Sequence, residues 1–531
     1  MKRIGFFSVF FAATVALLAQ NGEIFSPVPP PSQPQLPSVA PASPPVQSSP
    51  AAGTNVVATR AMSLQDCIQQ ALQQNFDVQI QQYNPRISAY DLYAAYNGWD
   101  PTFSISGKHN YNVSPGSGFN QSSTNFVPPS EYNANTFNSD VSGVLPWGLQ
   151  YDFNGNISQQ YGVNGGVPAE NAGGSIGVTL TQPLLKNFWV DTTRLNIRVA
   201  KNRLKYSEQG LRLQLITSVT AVVNAYYELV FAQQNVTVQR EALNLAQTQL
   251  DQDKQRVQIG TLAILSVQQD ESQVAQAQAN LIAAQSTLDT DEDNLKNLFT
   301  DNYTQWQDIN VLPTATLEAL PQAFDLQESW SKGLTERPDL LQAKLNVEQQ
   351  GIQLKYYRNQ LFPELDLTGS YGFNAGGVPQ YSGAFNQLSQ GNAPFYSYGA
   401  TLTMPLSNQG PRNQYKSTKA TFQQVLLQLK QLEQNVMVQI DTAVKTAESD
   451  YQSAQATRQA RIYAEAALDA EQKTYAVGKA TTFEVLQYQN NLTGARSQEI
   501  RALANYNEAL AALAQQEGTT LQRYNINLEA K

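Results

Sequence analysis

Apolar and polar residues alternate one by one over several stretches of this chain. Leu365, Leu367, Gly369, Tyr371 and Phe373 alternate with Asp366, Thr368, Ser370, Gly372 and Asn374, which predicts a strand with one apolar and one polar face. After a loop of about twenty residues rich in Gly, Asn, Gln and Pro, Tyr396, Tyr398, Ala400, Leu402 and Met404 alternate with Ser397, Gly399, Thr401 and Thr403. The two runs predict a long-looped hairpin. Earlier, Phe103, Ile105 and Gly107 alternate with Thr102, Ser104, Ser106 and Lys108, and Ile176, Val178 and Leu180 with Ser175, Gly177 and Thr179. Two more candidate strands, around 137–145 and 151–157, are joined by Pro146-Trp147-Gly148. Such strands fit a wall between lipid and water, and equally a soluble sandwich with one wet face.

A second pattern has period seven. Val274, Leu281, Leu288 and Leu295 fall seven apart, with Ala277, Ala284 and Leu298 on companion positions, which predicts a coiled-coil seam. Ala and Gln dominate 211–258, 264–299, 412–475 and 484–516, so these segments are expected to be long helices that pack closely on one side and stay wet on the other. A helical path from Pro183 to Gly260 spans on the order of 100 Å, too long for a compact enzyme.

The two halves echo each other. Asp100-Pro101-Thr102-Phe103-Ser104-Ile105-Ser106-Gly107 resembles Phe362-Pro363-Glu364-Leu365-Asp366-Leu367-Thr368-Gly369, Thr181-Gln182-Pro183-Leu184 resembles Thr403-Met404-Pro405-Leu406, and Ile259-Gly260-Thr261 resembles Val477-Gly478-Lys479. Pro101 to Pro183 is 82 residues but Pro363 to Pro405 only 42, so the first half carries room for one extra hairpin. A protomer then supplies four to six strands, fewer than the eight or more of a closed pore, and copies must associate to finish the wall.

Composition narrows the chemistry. One Cys (Cys67, in a helical pattern), one His (His109, in a strand pattern) and 15% charged residues leave too few ligands for a structural metal and no nucleophile pair. A net charge of -9 without a basic cluster argues against nucleic acid. No cofactor or metal is expected, and the chain is read as a non-enzyme. Met1-Lys2-Arg3 followed by apolar residues 4–18 reads as a signal peptide, residues 1–19, and Pro-rich residues 20–60 as an extended tether. No later apolar run looks long enough for a membrane helix.

In this order and spacing, Arg256-Val257-Gln258-Ile259-Gly260, Leu361-Phe362-Pro363-Glu364-Leu365-Asp366-Leu367-Thr368-Gly369-Ser370 and Tyr475-Ala476-Val477-Gly478 running into Phe483-Glu484-Val485-Leu486 resemble the TolC family of outer-membrane efflux proteins over nearly all of 61–520. The resemblance implies a membrane α+β fold: a trimeric transmembrane β-barrel in outer-membrane lipid, continued by a periplasmic α-helical coiled-coil barrel and built from two unequal internal repeats. Those repeats are 61–300 (strands 101–183, tip near 260) and 326–518 (strands 363–405, tip near 478), with a linker 301–325 and a tail 519–531. It further implies a homotrimer that docks to a periplasmic adaptor (membrane fusion protein) and an inner-membrane pump, and passively conducts what a tripartite efflux or type I secretion system exports.

By the same resemblance Ile259, Gly260, Thr261, Val477, Gly478 and Lys479 are adaptor-docking tips, or else simply helix-ending turns. Glu484, Gln487 and Tyr475 stand at the channel constriction, where Glu484 forms an acidic ring or is one more solvated carboxylate. Ala480 stands where the family has a locking arginine, Gln487 where it has a second acid, and Leu265 and Ser266 where it has the lock's partners, so the family's lock is expected to be largely missing.

Overall fold

The structure, a computed structural model, describes residues 58–116, 128–164 and 167–526; the signal-peptide reading, nearly all of the tether and the last five residues of the tail lie outside them. The first half runs β1 (Ala58–Met62), α1 (Leu64–Gln74), α2 (Phe76–Ala95), β2 (Thr102–Ser114), β3 (Ser130–Val144), β4 (Gln150–Asn164), β5 (Val167–Pro183), α3 (Thr192–Gln258) and α4 (Ile264–Phe299). The second runs α5 (Tyr303–Trp306), β6 (Ile309–Pro313), α6 (Leu326–Glu336), α7 (Pro338–Asn359), β7 (Glu364–Val378), α8 (Tyr381–Gln390), β8 (Pro394–Thr403), α9 (Gln409–Ala476), α10 (Thr482–Glu517) and α11 (Thr520–Arg523).

Four helices of the first half have counterparts of matching length in the second. Helices α1 and α6 have 11 residues each, α2 and α7 have 20 and 22, α3 and α9 have 67 and 68, and α4 and α10 have 36 each. At ~1.5 Å per residue α3 and α9 are each about 100 Å long.

Strands β2-β3-β4-β5-β7-β8 form, in that order, one antiparallel six-stranded sheet. The extra hairpin of the first half is β3–β4, and it extends the sheet. Register carries one apolar row across all six strands, Phe103, Val141, Phe153, Val178, Tyr371 and Tyr396. The neighbouring row on the opposite face is Thr102, Ser142, Asp152, Thr179, Ser370 and Ser397. A two-residue side-chain period held in register separates the faces. Among the described residues, β2 and β8 each have one unpaired edge.

Two features depart from expectation. The loop after β7 contains α8, closed by Gly391 at φ 65°. In the segment read as linker, β6 pairs in parallel with β1, and β1 begins inside the stretch read as tether. The Tyr226 hydroxyl pins that small sheet to α3, donating to the Met62 carbonyl and accepting from the amides of Thr314 and Ala315. Cys67 is fully buried in the same core, where burial pushes its thiol up to about 12, and His109 lies exposed on β2.

The seam on α4 packs as read. Val274, Ala277, Leu281, Ala284 and Leu288 meet Val236 and Leu243 of α3. Contrary to the sequence reading, α3 contains a window long and apolar enough to cross a membrane, with mean hydropathy 1.4; it is 67% buried against its neighbours, so its apolarity serves the bundle core.

Candidate functional site

Helices α3 and α9 end in the same way. Gly260 and Gly478 both sit at φ 76°, a left-handed conformation that glycine adopts without a Cβ penalty. The amide of Thr261 donates to the Arg256 carbonyl at 2.9 Å, and that of Lys479 to the Thr474 carbonyl at 3.1 Å. The glycine amides close the inner bonds to Val257 and Tyr475. Each is a helix end whose last carbonyls are satisfied by the reversing chain. A Cβ at either glycine would meet nothing within 4 Å. Ile259 and Val477 are 74% and 70% exposed, so each turn offers an apolar side chain to solvent.

Helix α10 begins on a capping box. Thr481 Oγ1 accepts from the Glu484 amide, while the Glu484 carboxylate accepts from the Thr481 amide at 2.7 Å and from the Thr481 hydroxyl at 2.9 Å. Those bonds, the Thr481 amide first, hold the Glu484 carboxyl below its usual range. Glu484 is exposed, and Gln487 lies one turn further along the same exposed stripe. Tyr475 is only 7% exposed, so it stands behind this surface, inside the coil.

What Tyr475 touches corrects the sequence reading of the lock. Its hydroxyl donates to both carboxylate oxygens of Asp253, at 2.7 and 2.8 Å, and lies 3.0 Å from Thr482 Oγ1. Asp253 is fully buried and also accepts from Thr482 Oγ1 at 3.2 Å and Gln249 Nε2 at 3.0 Å. Arg256 lies over the Tyr475 ring, 4.4 Å from its centre, with its guanidinium 3.9 Å from Asp253. One carboxylate thus joins α3 to both α9 and α10. Leu265 is 64% exposed and Ser266 turns back to Ala263 through its amide, so neither holds the tyrosine. The partner comes from the helix before the first tip, not the one after it.

Asp270, on α4, is fully buried, and neither of its carboxylate oxygens meets a protein donor. Burial, then the charge of the Asp253 carboxylate, raise its pKa to about 7. A proton on Asp270 avoids placing two like charges in the same buried seam. Burial likewise pushes the Tyr475 hydroxyl upward, which keeps it a donor. Neither acid was singled out in the sequence, although a signal existed: Asp253 continues the seam of Leu243, Ala246 and Leu250, and Asp270 precedes Val274 and Ala277 by seam spacing. A carboxylate in an apolar seam marks a built polar contact.

Comparison with known proteins agrees with this architecture. The model of the family described as outer membrane efflux protein matches residues 148–299 and 330–519. The chain is 28% identical over 306 residues to outer membrane protein TolC of Escherichia coli, covering 56% of this chain and 59% of that one, so it matches about three-fifths of that relative's length. It is 24% identical over 391 residues to outer membrane protein TolC of Vibrio cholerae, covering 71% and 85%. The fold superposes on the Campylobacter jejuni CmeC outer membrane channel with a TM-score of 0.62 and 14% identity, over 88% of this chain and 90% of that one.

Proposed function

Because the chain belongs to the outer membrane efflux protein family, we propose that it is the outer-membrane channel of a tripartite efflux or type I secretion system, passively conducting what an inner-membrane pump exports through a periplasmic adaptor. The observation that carries this reading is the six-stranded sheet, apolar on one face and polar on the other, with an open edge at β2 and at β8. A membrane wall tolerates no open edge, so the sheet closes only through further copies. Three copies close an eighteen-stranded barrel, a size that leaves an aqueous channel. A homotrimer is supported separately by α2, where Phe76, Ile80, Tyr83, Ile87 and Tyr90 repeat at seam spacing and are each more than half exposed in one protomer.

The repeats 61–300 and 326–518 together line a periplasmic tunnel, which narrows where α3, α4, α9 and α10 meet. Asp253, Tyr475 and Thr482 hold the coils together there. Glu484 and Gln487 face the axis, and three copies of Glu484 form a negative ring that favours cations. The turns Ile259-Gly260-Thr261 and Val477-Gly478-Lys479 dock the adaptor. Single-channel recording of the purified protein, with its mass in detergent measured alongside, tests the proposal. Small cation-selective steps from a trimer are expected; a monomer without conductance overturns it.

A further inference from the structure

Helix α8 lies flat on the apolar face of the sheet. Ala384 is fully buried beneath it, the Tyr381 ring meets Phe137 edge-on at 6.2 Å, and the Tyr381 hydroxyl donates to the Asn135 carbonyl. From the far side Gln159 Nε2 donates to the Pro379 carbonyl. Under the helix is a cavity of about 620 Å³, within the ~300–1,000 Å³ of ligand sites. Its walls are Ile105, Phe137, Ile157 and Ile176, its roof is Phe385 and Leu388, and no charged side chain lines it. The space lies where Ser139 and Gly155 sit side by side in one cross-strand row between Ile105 and Ile176 and fill little of it.

Position identifies the occupant. Along β7 the apolar face runs from Leu365 to Ala375, ten residues or about 33 Å of strand, which at ~40° tilt spans about 25 Å of bilayer. Ala375 is level with Gly174, Ile157, Phe137 and Gly107; one step beyond, the row holds His109, Asn135 and Gln159 on β2–β4 and Ala172 and Val378 on β5 and β7, so the face turns polar on β2–β4. The cavity therefore lies at the rim of the apolar band farther from the helices, continuous with it below and polar at its mouth. Helix α8 carries no charge and leaves Phe385 56% exposed, as a helix resting in a lipid interface does.

We propose that the groove between α8 and strands β2–β5 binds one acyl chain of an outer-leaflet membrane lipid per protomer, a site that rests on the channel reading above. The test uses the full-length protein in nanodiscs of phosphatidylethanolamine and phosphatidylglycerol, with a diazirine on the phosphatidylethanolamine acyl chain. It is photolysed either in the disc or after exchange into lipid-free detergent, and adducts are mapped by peptide mass spectrometry. In the disc, adducts are expected at Tyr398 and Leu402 as well as at Phe385 and Leu388. After exchange those at Phe385 and Leu388 persist at roughly tenfold excess, the ratio that a tenfold tighter site produces. Ser139→Phe fills the groove and removes the excess while leaving the in-disc adducts at Tyr398. Even loss of all adducts on exchange, an excess that survives Ser139→Phe, or a Phe385 shielded in the disc by a neighbouring protein each overturns the site. Absence of adducts at Tyr398 and Leu402 in the disc instead overturns the membrane wall itself.

Discussion

Asp253 is the residue that ties the coils together at the tips, since its carboxylate, with no solvent contact, is satisfied by Tyr475, Thr482 and Gln249. Removing the shortest donor leaves a buried charge under-solvated, so Tyr475→Phe is expected to cost ~1–3 kcal/mol of local stability. Faster amide exchange confined to the ends of α3 and α9, with a larger conductance, would show it; unchanged exchange would show that packing alone closes the tip. Asp270 adds a pH dependence. Its folded pKa is raised to about 7 from 3.8 by burial and by Asp253, so the folded tip binds the proton more tightly than the opened one. Stability is therefore fullest below pH 3.8 and declines as pH climbs from there to about 7, with a slope of up to one proton. The other charged groups at this coil are Arg256, 3.9 Å from Asp253, and Lys254, paired with Glu271 at 3.4 Å. Asp270→Asn is expected to abolish the slope, read as tip amide exchange between pH 4 and pH 8.

At the scale of elements, the two tips are one device used twice. Gly260 and Gly478 share a φ of 76° and an empty Cβ direction, so Gly478→Ala incurs only backbone strain, ~1 kcal/mol, with no clash. Thermal unfolding should barely move while adaptor binding weakens if the turn is the docking element; equal binding would reduce the glycines to helix-ending turns. The capping box at α10 is a second local device. Thr481→Ala removes the acceptor of the Glu484 amide at ~1 kcal/mol and releases the Glu484 carboxylate from its own helix end, and exchange at the first turn of α10 reports this. Helix α8 was legible in part: Tyr381, Ala384, Phe385 and Leu388 have helical spacing, but Gly, Asn and Gln between them read as loop. Ten residues do not hold a helix in water, and this one is held by the sheet beneath it. The pair β1–β6 was not legible, because five-residue strands some 250 residues apart carry no local signal of partnership.

For the whole molecule, the extra hairpin widens the sheet, and in the trimer proposed above it widens the wall. Register places Phe103, Val141, Phe153 and Val178 in one row, so excising β3 and β4 brings β2 beside β5 with the apolar faces still matched. Because barrel diameter grows about linearly with strand number, the cross-section available to solutes should fall to roughly half. Polymer exclusion from the barrel side in a Tyr475→Phe background measures it; an unchanged exclusion size would mean that β3 and β4 stand outside the closed wall.

The periods of the pattern were enough, by themselves, to place the strands, the long helices, the seam and the doubled half, because a period of two or of seven follows from backbone geometry and needs no knowledge of what lies opposite. The glycine reversals were legible for the same local reason. Which carboxylate meets Tyr475, and where α8 lies, are contacts between segments hundreds of residues apart or between a short helix and a sheet. Only the folded chain decides them, since burial against a particular neighbour, not local preference, determines which groups bond to Asp253 and whether ten uncharged residues become a helix.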